Sequence, residues 1–330
     1  MIRRVVFGTR GILCSLVGLT WCLVGCTFLL ADSEVDPLSP RDAMRVLVAE
    51  LAEYTKTQDP GFLVISQNGD ELLTTGDTAA AALASNYVAA VDGLGREDLF
   101  YGYSNDNEAT PVEATNWMLA YLDRAEKLGI EVLVTDYCWD QALMDKSYSS
   151  NAARGFASFA APSRELDTIP GDPAHPFEVH AGDVISLSDV RNFLYLINPW
   201  QFETKASFID ALEGTDYDAF ILDLEFDGAP LSAADVGMLK VKANGGTRLL
   251  LCYVSIGEAE DYREYWDPAW SATPPDWLLE ENPDWPGNYP VQYWHPEWQE
   301  IVFEMMDAVL AAGFDGVYLD RVDAYEEFKN

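Results

Sequence analysis

Short β-branched or aromatic runs alternate with helical stretches along almost the whole chain. Four runs fall in the first half, at 62–66, 90–94, 132–137 and 155–160, and four in the second, at 192–198, 219–224, 249–255 and 316–320. Several are apolar throughout, such as Leu249-Leu250-Leu251-Cys252-Tyr253-Val254, as expected for strands covered on both faces. Between them, 42–57, 115–128 and 296–312 carry apolar residues at helical spacing, and the last two end at Gly129 and Gly313. Such alternation specifies βαβ units and a parallel sheet. Eight strands in a chain of 330 residues fit one (β/α)8 TIM barrel, an α/β fold. An open doubly wound sheet is the rival, but no strand run leads into GxGxxG or GxxxxGK[ST].

The first strand has a helix before it, and the chain stops about ten residues after the last strand. A complete barrel needs a helix after that last strand, and 42–57 can supply it. This predicts that the strand holding Leu319 pairs with the strand holding Val64, and that one domain spans 42–330. Within it, 168–190 reads as a linker between two half-barrels, 42–167 and 191–330; Pro170, Gly171, Pro173, Pro176 and Gly182 fall in or beside it.

Arg3, Arg4 and Arg10 precede an apolar run, the layout of a secretory signal. Leu23-Val24-Gly25-Cys26 reads as a lipobox, so 1–26 is expected to be a signal peptide with Cys26 lipidated, and 27–41 a linker. Cleavage after Ala31 competes with it. The reading makes the protein secreted, held to the membrane by a lipid anchor only. The remaining Cys138 and Cys252 sit in apolar runs and read as buried hydrophobes. A formal net charge of -35 speaks against nucleic acid, whose phosphates need a basic patch. His175, His180 and His295 show no metal-ligand spacing, and no nucleophile elbow occurs; neither a metal nor another cofactor is expected.

Two segments, Val254-Ser255-Ile256-Gly257-Glu258-Ala259-Glu260-Asp261-Tyr262-Arg263 and Gly313-Phe314-Asp315-Gly316-Val317-Tyr318-Leu319-Asp320-Arg321-Val322-Asp323, resemble the family 114 glycoside hydrolases. Gln67-Asn68-Gly69-Asp70-Glu71-Leu72-Leu73 and Asp92-Gly93-Leu94-Gly95-Arg96-Glu97-Asp98-Leu99-Phe100-Tyr101-Gly102 resemble its bacterial and archaeal branch, often labelled extracellular cysteinyl-tRNA-synthetase-related. The resemblance implies a TIM barrel and an activity like endo-α-1,4-polygalactosaminidase. The order of segments departs from the family: those that usually come first lie here in 192–328. The chain therefore resembles a circular permutant. The synthetase label gains no support, since neither HIGH nor KMSKS occurs.

Glycosidic cleavage uses two carboxyls, and barrel enzymes carry them at C-terminal strand ends. That rule offers Asp320, Glu97, Asp98, Asp136, Asp223, Glu225 and Glu258 without ranking them. The resemblance matches Asp320 to the family's catalytic Asp after strand four and Glu97 to its catalytic Glu after strand six; we assign them as nucleophile and acid/base. Asp223, Asp136, Glu258, Gln67 and Asn68, with the aromatics Tyr253, Tyr318, Tyr101 and Trp200, are the expected substrate-binding residues. The segment 266–298 adds Trp270, Trp277, Trp285, Trp294 and Trp298, about half of which should be ordinary packing. The expected partner is a polysaccharide rich in galactosamine or N-acetylgalactosamine. A non-catalytic glycan-binding barrel is the alternative, distinguished by a blocked cleft.

Overall fold

The structure, a computed structural model, describes residues 38–171 and 173–328. The signal reading, Cys26 and most of the 27–41 linker lie outside the described residues.

Eight strands form one parallel sheet: β1 (Leu63–Gln67), β2 (Gly93–Glu97), β3 (Glu131–Tyr137), β4 (Ala157–Ala161), β5 (Phe193–Leu196), β6 (Ala219–Leu222), β7 (Leu249–Ser255) and β8 (Gly316–Asp320). Their order is β4-β3-β2-β1-β8-β7-β6-β5. A parallel bridge between Ser158 and Asn192 joins the two outer strands and closes the barrel. The strands are buried on both faces, which explains the unbroken apolar runs.

Strands β1 and β8 pair as the sequence predicts, with Val64 opposite Val317 and Ser66 opposite Leu319. The helix before β1, α1 (Pro40–Gln58), takes the outer position next to them. Ser39 caps its first turn through Asp42 N, and Pro40 opens it. Tyr54 donates to Asp307 at 2.6 Å on one side and packs edge-on against Phe303; Lys56 donates to Ala90 O at 2.9 Å on the other. Helix α1 thus covers the outer side of the β1–β8 pair.

Helices α2 (Ser85–Ala90), α3 (Val112–Lys127), α4 (Gln141–Ala152), α5 (Lys205–Glu213), α6 (Ala233–Leu239) and α7 (Pro296–Ala312) cover the other crossovers. The second strand starts later than its expected position at 90–94, because Ala90 closes α2. Gly93 and Gly95 sit inside β2 for reasons of space: a Cβ at Gly93 would lie 2.8 Å from Leu187, and one at Gly95 only 1.9 Å from the Tyr318 hydroxyl.

Among its described residues, the connection 162–192 contains one 3-10 turn, Leu187–Asp189, and no α-helix. It runs under the N-terminal end of the barrel and is fastened there. Asp218 and Lys242 are both fully buried and pair at 3.0 Å; His180 lies 3.1 Å from the same carboxylate. Lys242 also donates to His180 O at 2.9 Å, and Asn192 donates to Phe177 O at 2.8 Å. Removing one partner of a buried pair strands the other charge, whereas removing both is close to neutral. Lys242→Ala should therefore cost roughly 3–5 kcal/mol in urea unfolding, and Lys242→Met with Asp218→Asn should recover most of it. Equal losses in the single and double variants would contradict this account.

Candidate active site

Three adjacent strands, β8, β1 and β2, end in Asp320, Gln67 and Glu97. Each is followed by a residue in the left-handed region: Arg321 (φ 58°), Asn68 (φ 60°) and Asp98 (φ 60°). Side chains other than glycine rarely adopt this backbone, and it persists where the surroundings enforce it. The turn redirects the chain sharply, so the terminal side chain of each strand faces the C-terminal mouth of the barrel.

Glu97 accepts from Gln67 Nε2 at 2.6 Å, from Asn68 Nδ2 at 3.0 Å and from the Tyr137 hydroxyl. The amide orientations are fixed independently. Tyr195 donates its hydroxyl to Gln67 Oε1 at 2.7 Å, and Glu97 N donates to Asn68 Oδ1 at 3.2 Å. Asp320 accepts from the Tyr253 hydroxyl at 2.8 Å and from Arg321 N at 2.7 Å. Burial pushes its carboxyl up to about 7, helped by the negative charges of Glu97 and Asp323. Tyr253, Tyr195 and Tyr318 form the floor, with Tyr195 5.2 Å from Tyr318 and 6.4 Å from Tyr253 between ring centres. The two carboxyls, three aromatic rings and two amides make one polar mouth over an apolar barrel.

Other expected residues hold this mouth in place. Asp136 is fully buried and accepts from Phe100 N (2.8 Å), Tyr101 N (3.1 Å) and Ser147 Oγ (2.6 Å), so it pins the loop after β2 to α4. Asp223 is gripped by both nitrogens of the Arg263 fork at 2.8 and 2.6 Å. Glu258 is buried, 3.1 Å from Arg321 and accepting from Asn282 at 2.8 Å. Burial raises the Glu258 carboxyl above its usual range, against the lowering pull of Arg321 and Asn282. None of the three offers a free carboxylate to a ligand, because each bridges loops that carry the site. Tyr101 packs with Cys138, Met144 and Tyr148 instead of facing the mouth, and Tyr318 lies beneath it with its hydroxyl over Gly95. Trp200 stands 68% exposed after β5.

Within the β7–α7 segment, Glu258–Glu260 pairs antiparallel with Asn288–Pro290. Trp277 and Trp298 are buried there, and Trp277 meets Trp270 edge-on at 5.1 Å. These rings are the segment's own core; Trp285 is presented to solvent, and Trp294 packs on Phe328. Tyr137 is one of the aromatics near strand ends that the sequence points to, whereas Tyr195, Arg263 and Arg321 are site residues that spacing alone did not single out. The parity of strand positions finds both tyrosines: Tyr137 ends β3 two residues beyond Thr135, the partner of Glu97 on β2, and so shares its face, and Tyr195 points inward on β5.

The model of glycoside hydrolase family GH114 matches residues 197–330, a segment that includes Asp320 and Tyr253 but not Glu97. An uncharacterized protein of Methanocaldococcus jannaschii is 41% identical over 148 residues, 44% of this chain and 42% of that protein. An uncharacterized protein of Deinococcus radiodurans is 44% identical over 123 residues, 37% of this chain and 38% of that one. One of Thermotoga maritima is 39% identical over 127 residues, 38% and 39% of the two chains. The chain thus spans about two-fifths of the length of the curated relatives it matches. Among solved structures, Aspergillus fumigatus Ega3 in complex with galactosamine is similar at 25% identity and a TM-score of 0.27, over 34% of this chain and 39% of that one. Over residues 197–330 the chain is thus similar to glycoside hydrolase family 114.

Proposed function

We propose that the chain is a glycoside hydrolase that cleaves an extracellular polysaccharide containing galactosamine or N-acetylgalactosamine. Asp320 is the nucleophile and Glu97 the general acid and base. The observation that carries this reading is the pair itself. Two carboxyls end β8 and β2, one strand apart, each gripped by a tyrosine hydroxyl, and the charge of one raises the proton affinity of the other. Glu97 gives its proton to the glycosidic oxygen as an Asp320 oxygen attacks the anomeric carbon. Water then breaks the resulting ester and returns a proton to Glu97. The similarity of residues 197–330 to family 114 supports this class of chemistry.

Exposed aromatics support a polymeric substrate. Tyr103, Trp139, Trp200, Tyr262 and Trp285 are each at least 44% exposed, and all lie in loops at the C-terminal ends of strands. Sugar rings stack on such faces. The excess of acidic residues favours a cationic, de-N-acetylated amino sugar, drawn in by long-range attraction.

Product analysis after incubation with a panel of amino-sugar polymers tests the reading. Shortened oligomers are expected, and Asp320→Asn and Glu97→Gln should each lower turnover by at least about 10³-fold. Binding without cleavage by the wild type would instead favour a glycan-binding barrel. Asp320→Asn should also stabilise the fold. The native carboxyl titrates near 7 and an unfolded Asp near 3.9, so the group costs stability increasingly as pH rises through that window. The variant's thermal midpoint should match wild type at pH 4 and exceed it by roughly 5 °C at pH 8. A gain that is larger at pH 4 would contradict the burial argument.

The same titration assigns the roles. If Asp320 must be ionised to attack, kcat/KM should fall about tenfold per unit below a pH near 7. A fall on the alkaline side of 7 would make Asp320 the proton donor instead.

Circular permutation and export are parts of the same proposal. The β8–β1 pairing, the position of α1 and the 162–192 connection, whose described residues hold no α-helix, support the first. For the second, Cys26→Ser is expected to release the protein from membranes of the expressing bacterium; a mature N-terminus at Asp32 would rule the anchor out.

A further inference from the structure

The 162–192 connection contributes one side chain to the mouth of the barrel. Arg164 leaves β4 three residues beyond its last one and reaches across the loop after β2. Its Nη2 donates to Asp98 Oδ1 at 2.9 Å, to Gly102 O at 3.0 Å and to Asp106 Oδ1 at 2.7 Å, and its Nε donates to Asp106 Oδ1 at 2.9 Å. The guanidinium carbon also lies over the Tyr137 ring, 3.9 Å from its centre. Tyr137 donates its hydroxyl to Glu97, and Asp98 is the left-handed residue directly after Glu97. Arg164 therefore touches two of the supports of Glu97, one of its three hydrogen-bond donors and the strained turn after it.

We infer that Arg164 is a positioning residue for Glu97: it holds the Asp98 turn closed and fixes the Tyr137 ring so that the hydroxyl stays on the carboxylate. The physical reasons are two. A left-handed Asp is held in place only by its surroundings, and here a charge-assisted bond to Arg164 supplies that restraint. A cation over the ring face draws electron density from the phenol and makes its hydroxyl a better donor. The arrangement needs a planar fork, because a lysine ammonium cannot serve Asp98, Gly102 and Asp106 while also stacking on the ring. The segment that joins the two half-barrels is thus a working part of the site.

The inference rests on the proposed role of Glu97, so one of its readouts is independent of activity. In the full chain, the hydroxyl proton of Tyr137 should give a downfield resonance that Tyr137→Phe removes. Arg164→Gln should move that resonance upfield or broaden it, and Arg164→Lys should do nearly as much; an unchanged resonance overturns the inference whether or not the protein hydrolyses anything. For activity on amino-sugar polymers, Arg164→Gln should lower kcat by about 10- to 100-fold and leave KM nearly unchanged. Combined with Tyr137→Phe, its effect on kcat should shrink, because both act on Glu97 through one path. Effects that multiply independently, or a change confined to KM, contradict it. Should Arg164→Gln fold poorly, Asp106→Asn, which loosens the same fork, should shift the resonance in the same direction but less, and no shift again overturns the inference. An inert wild type counts against the proposed function and leaves the resonance to decide this one.

Discussion

Parallel pairing of β8 with β1 is the interaction on which the site depends. Asp320 ends the last strand and Glu97 the second, and only β1 separates them in the sheet. Remove that pairing and the two carboxyls belong to opposite ends of the chain. The pairing also decides what else must be true. The outer face of β1 and β8 needs a helix, and α1 covers it. The opposite seam, between β4 and β5, is left to a single bridge and an irregular connection. That seam is fastened by a buried ion pair below and an arginine fork above.

The mouth of the barrel is assembled at some cost to the fold. Three strands end in left-handed residues, two of them carrying full side chains of Asp and Arg. Two acids lie close enough to raise the proton affinity of one of them. Arginines then tie two of these strained turns to their neighbours. Arg164 ties Asp98 to Asp106, and Arg321 ties the β8 end to Glu258 and Asp323. Such strain and repulsion are maintained where preorganisation of charged groups is useful, and folding alone does not call for them.

The alternation of strands and helices was legible in the sequence, because period-two and period-3.6 patterns report local burial directly. The β1–β8 neighbourhood was legible too, from a helix without a preceding strand and a strand without a following helix. The short strand β2 was not, since Gly93 and Gly95 have poor strand preference and are explained only by Leu187 and Tyr318 pressing on them. Asp320 and Glu97 could be reached from strand-end position together with resemblance to a family. Asp136, Asp223 and Glu258 share that position, yet their carboxylates are spent on backbone amides, an arginine fork and an amide-arginine pair. Nothing in their spacing separates a free strand-end acid from a paired one, because the partners lie on other loops. Arg164 was invisible for the same reason: its acceptors and the ring beneath it come from two different crossovers.

The claim on which everything else turns is that Asp320 and Glu97 face one scissile bond. A crystal structure of the Asp320→Asn protein with a galactosamine oligomer tests it most directly. The account predicts the oligomer across the C-terminal mouth, with an anomeric carbon facing residue 320 and the adjoining glycosidic oxygen within hydrogen-bond reach of Glu97. An oligomer seated elsewhere, or one whose glycosidic oxygens all lie beyond reach of Glu97, would contradict it.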